Sequence, residues 1–426
     1  MFALLLSLLA ATAAPETLAL SLDQALKVAY KRSPAMGEVS ADRTQSWVKP
    51  AQGVAALLPT PSGSLSYSSA QTPSPLQPDS AITVKGWTGA LTLAQVIFDP
   101  QVFAGVVSSF IYSGYNATDA RDKQARLLYD VTSDYLGLLK ARQLRDVAAS
   151  ALDRAGDNLN LDREKLRLGS ASEIDVMRSE VFHSQAEIEL LSAGTALAAA
   201  NAAFLATAGI TEDIVVRPTD ELTVPSGFEI TDDDSLLAAI QRANPSASLA
   251  GKASAVSSLN VVAAAAGALP SVSAYWSSNY EDTLFPKSVA AWQAHDTPSW
   301  GIRFGFPLLD IKSYILNIAD ASAEARRARA GAVRAKLQLR STATAAILGY
   351  KEARQRYDYA QRNLEMNRAL YGLAEQQYRL GAISLIDFQS VETNLAQAQA
   401  SYISALGDTY IQAAQIAYLL GSGPGK

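Results

Sequence analysis

The chain has 426 residues, with 36 basic and 41 acidic side chains, a net charge of -5 and no cysteine. Without cysteine the chain has no disulfide, no cysteine-ligated metal and no thiol nucleophile, and its mildly acidic balance argues against a nucleic-acid partner. Much of the 49% hydrophobic content is alanine, which favours close helix packing over a bulky globular core.

The first segment, residues 1–14, is apolar or small and ends in the small-x-small pattern Ala11-Thr12-Ala13. This pattern predicts a secretory signal peptide, because the stretch is shorter than the roughly 20 residues that cross a bilayer. An apolar N-terminal helix is the alternative. No later window approaches about 18 uninterrupted apolar residues, so we expect no helical membrane span in the mature chain.

A short helix and a β-hairpin over residues 58–99 come next in the prediction. WTGALTLAQVIF alternates so that one face of a strand carries Trp87, Leu91, Leu93 and Ile97. SGSLSYSS is a weaker strand, and a polar loop from Ala70 to Val84 separates the two.

Two proline-free stretches, Gln101 to Arg217 and Leu308 to Gly423, predict long helices, because proline costs about 3 kcal/mol inside a helix. A glycine interrupts each stretch near its middle, in the similar motifs LRLGSASEIDV and YRLGAISLIDF. A glycine followed by a small residue suits a tight turn and a new helix start. Each stretch therefore predicts a helical hairpin, over residues 101–210 and 312–421.

The same landmarks recur about 211 residues apart along the chain. Ser33-Pro34 is matched by Asn244-Pro245, Leu58-Pro59 by Leu269-Pro270, and Gly169 by Gly381 at an offset of 212. Such agreement predicts an internal duplication. The repeats cover residues 15–214 and 235–421, with a linker at 215–234 and a tail at 422–426.

The second repeat predicts a second β-hairpin, over residues 269–310. SWGIRFGFPLLD places Trp300, Ile302, Phe304 and Phe306 on one strand face, and PSVSAYWSS does the same with Val272, Ala274 and Trp276. A loop from Ser277 to Pro298 separates these strands.

Four strands with an apolar face resemble membrane strands, but the smallest membrane barrels have about eight. An open sheet edge in lipid leaves backbone groups without partners, so a membrane location requires oligomerisation. A dimer would provide about eight strands and a trimer about twelve, and the small residues of the other face favour a trimer with a lumen. A soluble sheet capping a helical bundle is the alternative.

The duplicated arrangement, together with YRLGAISLIDFQSVETNLAQAQASYISAL from Tyr378 to Leu406, resembles the outer membrane efflux protein family of TolC-like channel-tunnels. The resemblance implies an α/β membrane protein. It would form a homotrimeric twelve-stranded β-barrel, four strands per protomer, continuous with a long periplasmic α-helical barrel of coiled-coil hairpins.

The resemblance also implies that the two glycine turns form the inner tip of the channel, where a periplasmic adaptor docks. The residues of these turns are Leu168, Gly169, Ser170, Leu380, Gly381 and Ala382. Asp387 matches an acidic constriction ring of the family, while Asp175 and Tyr378 match partners in links that hold the tip closed. Helix N-terminal carboxylates, worth about 0.3 to 1 kcal/mol each, are a compatible reading of both acids.

The sequence departs from the family at Ile383, where some members have a gating arginine, and at Ser390, where some have a second acid. The closed tip would then depend on fewer charged links, or on Arg167 and Arg379 just before the turns. These residues complete the predicted constriction and gating site.

The resemblance implies a passive exit duct in the outer membrane of a Gram-negative bacterium, in a tripartite efflux or type I secretion system. Its partners would be two further copies, an adaptor, an inner-membrane pump of RND or ABC type and outer-membrane lipid. A non-conducting structural or adhesive envelope protein, a helical stalk with a β cap, is the alternative.

The sequence supports no enzyme, catalytic residue, cofactor site or metal site. The two histidines, His183 and His295, have no ligand spacing around them, and there is no nucleophile elbow or phosphate-binding glycine loop. The basic run from Ala323 to Arg340 is best explained as the exposed face of a long helix.

Overall fold

The computed structural model describes residues 17–73, 81–221, 232–306 and 311–421. The predicted signal peptide, the tail at 422–426 and the end of the second hairpin at 307–310 lie outside these ranges. The chain divides into two compact units. The helical unit consists of residues 1–40, 120–245 and 336–426, and the sheet unit consists of residues 41–119 and 246–335.

The elements follow one another in the same order in both halves of the chain, except for the extra helix α7 in the second half. They are β1 (Thr17–Leu20), α1 (Leu22–Arg32), α2 (Pro34–Ala55), β2 (Thr60–Pro73), β3 (Ala81–Phe98), α3 (Pro100–Arg167), α4 (Glu173–Ala208), β4 (Val215–Pro218), α5 (Asp233–Ala243), α6 (Pro245–Ala266), β5 (Ser271–Asp282), α7 (Val289–Ala294), β6 (Asp296–Gly305), α8 (Ile311–Arg379) and α9 (Leu385–Leu419). The long helices α3 and α8 have 68 and 69 residues and begin 211 positions apart.

The short helix predicted in each half is a pair of helices. Ser33 caps α1 and Asn244 caps α5, both with extended backbone. A proline follows each cap, and the residue before a proline is disfavoured in the helical region. The chain therefore breaks there and restarts as α2 or α6.

The core of the helical unit surrounds Tyr135 of α3 and Phe204 of α4, both fully buried. The Tyr135 hydroxyl donates to the Leu20 carbonyl at 2.9 Å and to Asp220 Oδ2 at 2.8 Å. These contacts fix a parallel pair of short strands, β1 and β4. No sequence pattern predicted this strand pair, and β4 lies inside the segment predicted as a linker.

The sheet unit contains an antiparallel sheet in the order β2-β3-β5-β6. Pairing aligns Leu65 with Gly89, Leu93 with Trp276 and Trp276 with Trp300, so all four strands share one face. The large exposed side chains on this face are Leu65, Tyr67, Leu91, Leu93, Trp276, Trp300, Ile302 and Phe304, as predicted. Two predicted members are not in the paired register: Ile97 lies at a register shift between Val96 and Phe98, and Phe306 lies beyond the end of β6. The predicted faces are therefore confirmed within the paired parts of the four strands.

The loops predicted within the two hairpins are too long. β2 continues to Pro73 and β3 begins at Ala81, and β5 continues to Asp282. Polar residues such as Ser277 and Asn279 are common in these strand ends, and the polar face of an antiparallel sheet accommodates them as well as a loop does. The second connection also contains helix α7.

Within the described part of the chain, two helices, α4 and α6, are long and apolar enough by composition to cross a membrane. The expectation of no such helix rested on uninterrupted apolar runs. Polar residues interrupt the alanine-rich stretches of α4 and α6, but the alanines still raise the average hydropathy of these helices. Length and composition alone are weak evidence for a span. In α4, Phe204 and Ala208 pack in the core beside Tyr135.

Gly209 ends α4 in the left-handed conformation, with φ of 72°, and has almost no space around it. A Cβ there would lie 2.6 Å from the Arg32 carbonyl oxygen and 2.7 Å from Ser33 Cα, both backbone atoms. Gly169 has a similar φ of 74° but open space around it.

We expect Gly169→Ala to lower the free energy of unfolding by about 1 to 2 kcal/mol, the cost of a left-handed alanine. Gly209→Ala should cost at least about 1 kcal/mol more, because the backbone of α1 must also move. Denaturant unfolding of both variants, followed by circular dichroism, measures the difference. Equal losses would contradict the crowding at Gly209.

Candidate functional site

The two glycine turns are built in the same way. Gly169 and Gly381 both have φ of 74°. The residue after each glycine, Ser170 or Ala382, donates its N–H to a carbonyl five residues earlier, at 2.8 Å in both turns. This is a Schellman motif, which needs glycine because the left-handed conformation is costly for other residues. The motif ends α3 and α8 abruptly and reverses the chain.

The next helix after each turn begins with a serine cap. Ser172 accepts from the Asp175 N–H and donates to Asp175 Oδ2 at 2.7 Å, and Ser384 and Asp387 repeat this arrangement at 2.6 Å. The Ser172 hydroxyl holds the pKa of Asp175 below its usual range. Both acids therefore act as helix-capping carboxylates, and Asp387 remains exposed at the turn.

The predicted arginines of the gate pair within their own helices. Arg167 contacts Glu164 three residues earlier, and Arg379 contacts Glu375 at 2.7 Å, four residues earlier. All four side chains are on the protein surface, so these pairs add little stability. Beside them, Leu168 and Leu380 are 67% and 83% exposed, which leaves an apolar side chain at the apex of each turn.

A buried polar group lies just behind the turns, and we call it the Asp162 cluster: Asp162, Lys165, Ser179, Tyr378 and Phe388. Asp162 of α3 is fully buried and accepts from the Tyr378 hydroxyl of α8 and the Ser179 hydroxyl of α4. Phe388 of α9 stacks on Tyr378 with ring centroids 4.7 Å apart. The cluster thus joins all four long helices of the protomer.

Tyr378 therefore has a partner that the sequence did not suggest. Its hydroxyl binds Asp162, and Lys165 Nζ lies 3.6 Å from its ring centroid while donating to its carbonyl at 3.0 Å. Burial, and then the bond to Asp162, raises the pKa of Tyr378, which keeps the hydroxyl a donor. The link to Asp175 that the resemblance implies stays a prediction.

A second buried polar group lies farther along the helices, around Glu392 of α9. Glu392 is 2% exposed, accepts from Asn158 Nδ2 at 3.0 Å and lies 3.4 Å from Arg154 Nε. The Arg154 guanidinium also lies 5.8 Å from the ring centroid of Tyr371. Burial raises the pKa of Glu392, although Arg154 opposes the shift.

The two departures from the family have clear places in the structure. Ile383 packs partly buried against Tyr378, Leu385 and Phe388, so it extends the apolar support of the turn. Ser390 is exposed on the first part of α9.

The remaining candidates have ordinary surroundings. His183 lies 3.7 Å from Glu187 and His295 lies 3.6 Å from Asp282. No cluster able to hold a metal ion occurs among the residues that the structure describes. In the basic run of α8, most of the arginines are exposed, and Arg327 pairs with Glu324.

Comparisons with known proteins match this arrangement. The family model described as outer membrane efflux protein matches residues 240–422. The chain resembles the outer membrane efflux protein family. The match covers the second repeat and includes the second turn with Asp387. The sequence matches no curated protein.

Solved structures match over nearly the whole chain. The CmeC outer membrane channel of Campylobacter jejuni superposes with a TM-score of 0.79 at 17% identity, over 94% of this chain and 86% of that one. VceC, an outer membrane protein of Vibrio cholerae, gives a TM-score of 0.77 at 15% identity, over 94% and 96%. The open state of the MtrE channel of Neisseria gonorrhoeae gives 0.74 at 15%, over 94% and 89%. At these identities the likeness establishes the fold of the chain.

We expect Tyr378→Phe to lower the free energy of unfolding by about 1 to 3 kcal/mol, because a buried carboxylate oxygen of Asp162 loses its donor. Tyr30→Phe, at an exposed tyrosine of α1, is the control and should stay within about 0.5 kcal/mol of the wild type. Chemical denaturation of the detergent-solubilised protein gives both values. A loss at Tyr378 no larger than at Tyr30 would contradict a structural bond to Asp162.

The raised pKa of Glu392 predicts a pH-dependent stability. The unfolded chain releases this proton near its usual pKa of about 4.3, and the folded protein releases it at a higher pH. The contribution of Glu392 to stability is therefore largest below that value and falls as pH rises through the raised pKa.

Glu392→Gln removes this titration and serves as the reference. We expect the wild type to lose stability relative to Glu392→Gln as pH rises above the usual glutamate pKa of about 4.3, as measured by thermal unfolding at several pH values. A constant difference across this range, or one that changes in the opposite direction, would disprove the shift.

Proposed function

We propose that the chain is one protomer of a homotrimeric outer-membrane exit duct, which passively conducts substrates delivered by an inner-membrane pump through a periplasmic adaptor. The observation that carries the proposal is the two-faced sheet joined in sequence to two long helical hairpins, the fold shared with solved outer membrane channels. The described part of the chain offers no competing constellation for catalysis.

The sheet supports a barrel with a lumen. The face opposite the apolar one consists mostly of small or polar residues, namely Ser62, Ser64, Ser66, Thr88, Ala90, Thr92, Ser273, Ser277, Ser299 and Gly301. Two larger side chains, Tyr275 and Arg303, stack there at 5.1 Å. A polar inner face and an apolar outer face are the pattern of a membrane barrel, and three copies would supply about twelve strands.

The helical unit has two exposed apolar stripes, which can serve as contacts between copies of the chain in such a trimer. The α4 stripe consists of Ile174, Met177, Val181, Ile188 and Leu191, and the α8 stripe consists of Tyr359, Met366, Leu370, Leu373 and Leu380. Both follow the three-four spacing of a coiled-coil seam and start at the turns. α3 binds α4, α8 and α9 within the protomer, through Arg163–Glu180, Asp162–Tyr378 and Lys140–Asp408.

We therefore assign the α4 stripe of one protomer to the α8 stripe of the next. Such a head-to-tail contact between two different surfaces generates a closed ring when the rotation between neighbours closes, as it does in the proposed three-fold arrangement. In this ring the turns form the inner tip, Asp387 contributes a ring of three carboxylates, and the Asp162 cluster keeps the hairpins of each protomer together. Opening then proceeds by outward movement of the hairpins, biased by an adaptor that contacts the open tip more favourably.

Single-channel recording in planar bilayers tests the duct. We expect a small cation-selective current that a trivalent cation blocks from the tip side, because an acidic ring attracts cations. Asp387→Asn should weaken this block by about tenfold or more, since three charges are lost at once. Asp175→Asn removes the equivalent capping carboxylate and should leave the block intact.

The Asp175 control separates two possible effects of losing an acid, the loss of a charged ring and the loss of a helix-capping contact. Each acid binds the serine that caps its helix. Equal loss of block in both variants would assign the effect to capping. A folded, detergent-independent protein that never conducts would instead support the alternative function, a helical stalk with a β cap.

Disulfide trapping tests the protomer contact, and the chain has no native cysteine to interfere. Val181→Cys and Leu370→Cys lie at similar depth, about 12 and 14 Å along their helices from the turns. We expect the double variant to form covalent dimers and trimers on oxidation. Arg368→Cys with Val181→Cys is the control, since Arg368 lies about 200° around the helix from Leu370.

A disulfide formed within single protomers, or equal trapping at Arg368, would contradict the assigned contact. The first result would mean that α4 and α8 meet inside one chain.

A further inference from the structure

The connection between β5 and β6 folds back onto the apolar face of the sheet. We call residues 283–295 the clasp; the segment includes helix α7. Trp292 of α7 stacks on Tyr280 of β5 at 5.2 Å, and its Nε1–H donates to Ser278 Oγ at 2.8 Å. Tyr280 and Ser278 belong to the apolar face, because they pair with Gly89 and Leu91 of β3.

A glycine of β3 leaves the space that the clasp occupies. A Cβ on Gly89 would lie 2.4 and 2.6 Å from ring atoms of Trp292, so any side chain there would displace the indole. The neighbouring apolar-face positions of the strand carry Trp87 and Leu91. Gly89 therefore interrupts an otherwise large-residue face at the point where Trp292 fills it.

Three further contacts hold the ends of the clasp. Phe285 packs edge-to-face against Trp87 with centroids 5.0 Å apart, and the Tyr280 hydroxyl donates to the Leu284 carbonyl at 2.6 Å. At the other end His295 lies 3.6 Å from Asp282. The clasp is thus attached along its length to the apolar face.

The outer side of the clasp is apolar as well. Val289 is 75% exposed, Leu284 69% and Phe285 48%, and the exposed Lys287 lies between them in sequence. Aromatic side chains with polar atoms, Trp87, Tyr280 and Trp292, lie beneath. This combination of apolar residues, aromatic rings and one cation is typical of segments at a membrane interface.

We propose that the clasp is a lipid anchor, which inserts Leu284, Phe285 and Val289 into the outer boundary of the bilayer and directs Lys287 to anionic headgroups. The inference rests on the proposed function, because that function places the apolar sheet face in lipid. Lipid is the occupant that the geometry favours, since the exposed surface of the clasp continues the apolar face directly. The connection is then part of the membrane-facing surface, and not a loop over the channel mouth.

Site-directed spin labelling tests the anchor. A nitroxide is attached to Val289→Cys in the full-length protein, reconstituted in vesicles of phosphatidylethanolamine and phosphatidylglycerol. Accessibility to oxygen, which concentrates in lipid, is compared with accessibility to a water-soluble nickel complex. Ile302→Cys on the apolar face and Ser66→Cys on the polar face are the two references.

We expect the oxygen-to-nickel ratio at position 289 to be severalfold higher than at 66 and close to that at 302. A water-like ratio at 289 with a lipid-like ratio at 302 overturns the anchor and leaves the duct intact. A water-like ratio at 302 overturns the membrane position of the sheet, and the anchor with it.

A pair of glycine variants tests whether packing on the sheet holds the clasp in lipid. Gly89→Ala displaces Trp292 and should lower the oxygen-to-nickel ratio at 289 severalfold. Gly86→Ala is the matched control in the same strand, where the nearest atom to a Cβ is 3.4 Å away. Trp292→Ala makes the same test without added atoms if Gly89→Ala fails to assemble, and an unchanged ratio in these variants contradicts the clasp.

Discussion

The open edges of the four-stranded sheet constrain the rest of the molecule. Among the strands that the structure describes, β2 and β6 each pair on one side only, so each has a row of backbone N–H and carbonyl groups that another strand must satisfy in lipid. Copies of the chain can supply those strands if their helical hairpins also fit together. The exposed stripes on α4 and α8 give the hairpins complementary edges. In the proposed trimer, a single three-fold symmetry would close both the sheet and the helical ring.

The two helical hairpins have matching turns but differ in the buried polar residues behind them. At the offset of 212, Asp162 corresponds to Ala374, and Tyr378 corresponds to Leu166. The buried carboxylate therefore exists only in the first hairpin and its tyrosine donor only in the second. Because an unpaired buried carboxylate is costly, this asymmetry favours pairing of unlike hairpins over pairing of like ones. Each protomer consequently packs its two hairpins in one defined arrangement.

The sequence was sufficient for features that depend on local periodicity. Alternation placed Trp300, Ile302 and Phe304 on the correct face, and the glycine motifs located both turns, because strand and turn chemistry are short-range. The sequence alone could not predict the role of a residue where burial determines that role. Asp162 and Glu392 look like any other acid on a long helix, and only the packing of three neighbouring helices makes them buried. The β1–β4 pair likewise depends on a contact between distant segments, made through Tyr135.

The exposed leucines of the turns determine what kind of contact the proposed inner tip can make. Leu168 and Leu380 extend from rigid Schellman turns, so covering them orders little additional chain. Burial of apolar surface is non-directional and is not screened by ions, unlike attraction between surface charges. A partner that binds mainly through these leucines would remain attached when the salt concentration around the cell changes. Docking at the tip would also weaken on cooling, as hydrophobic contacts do.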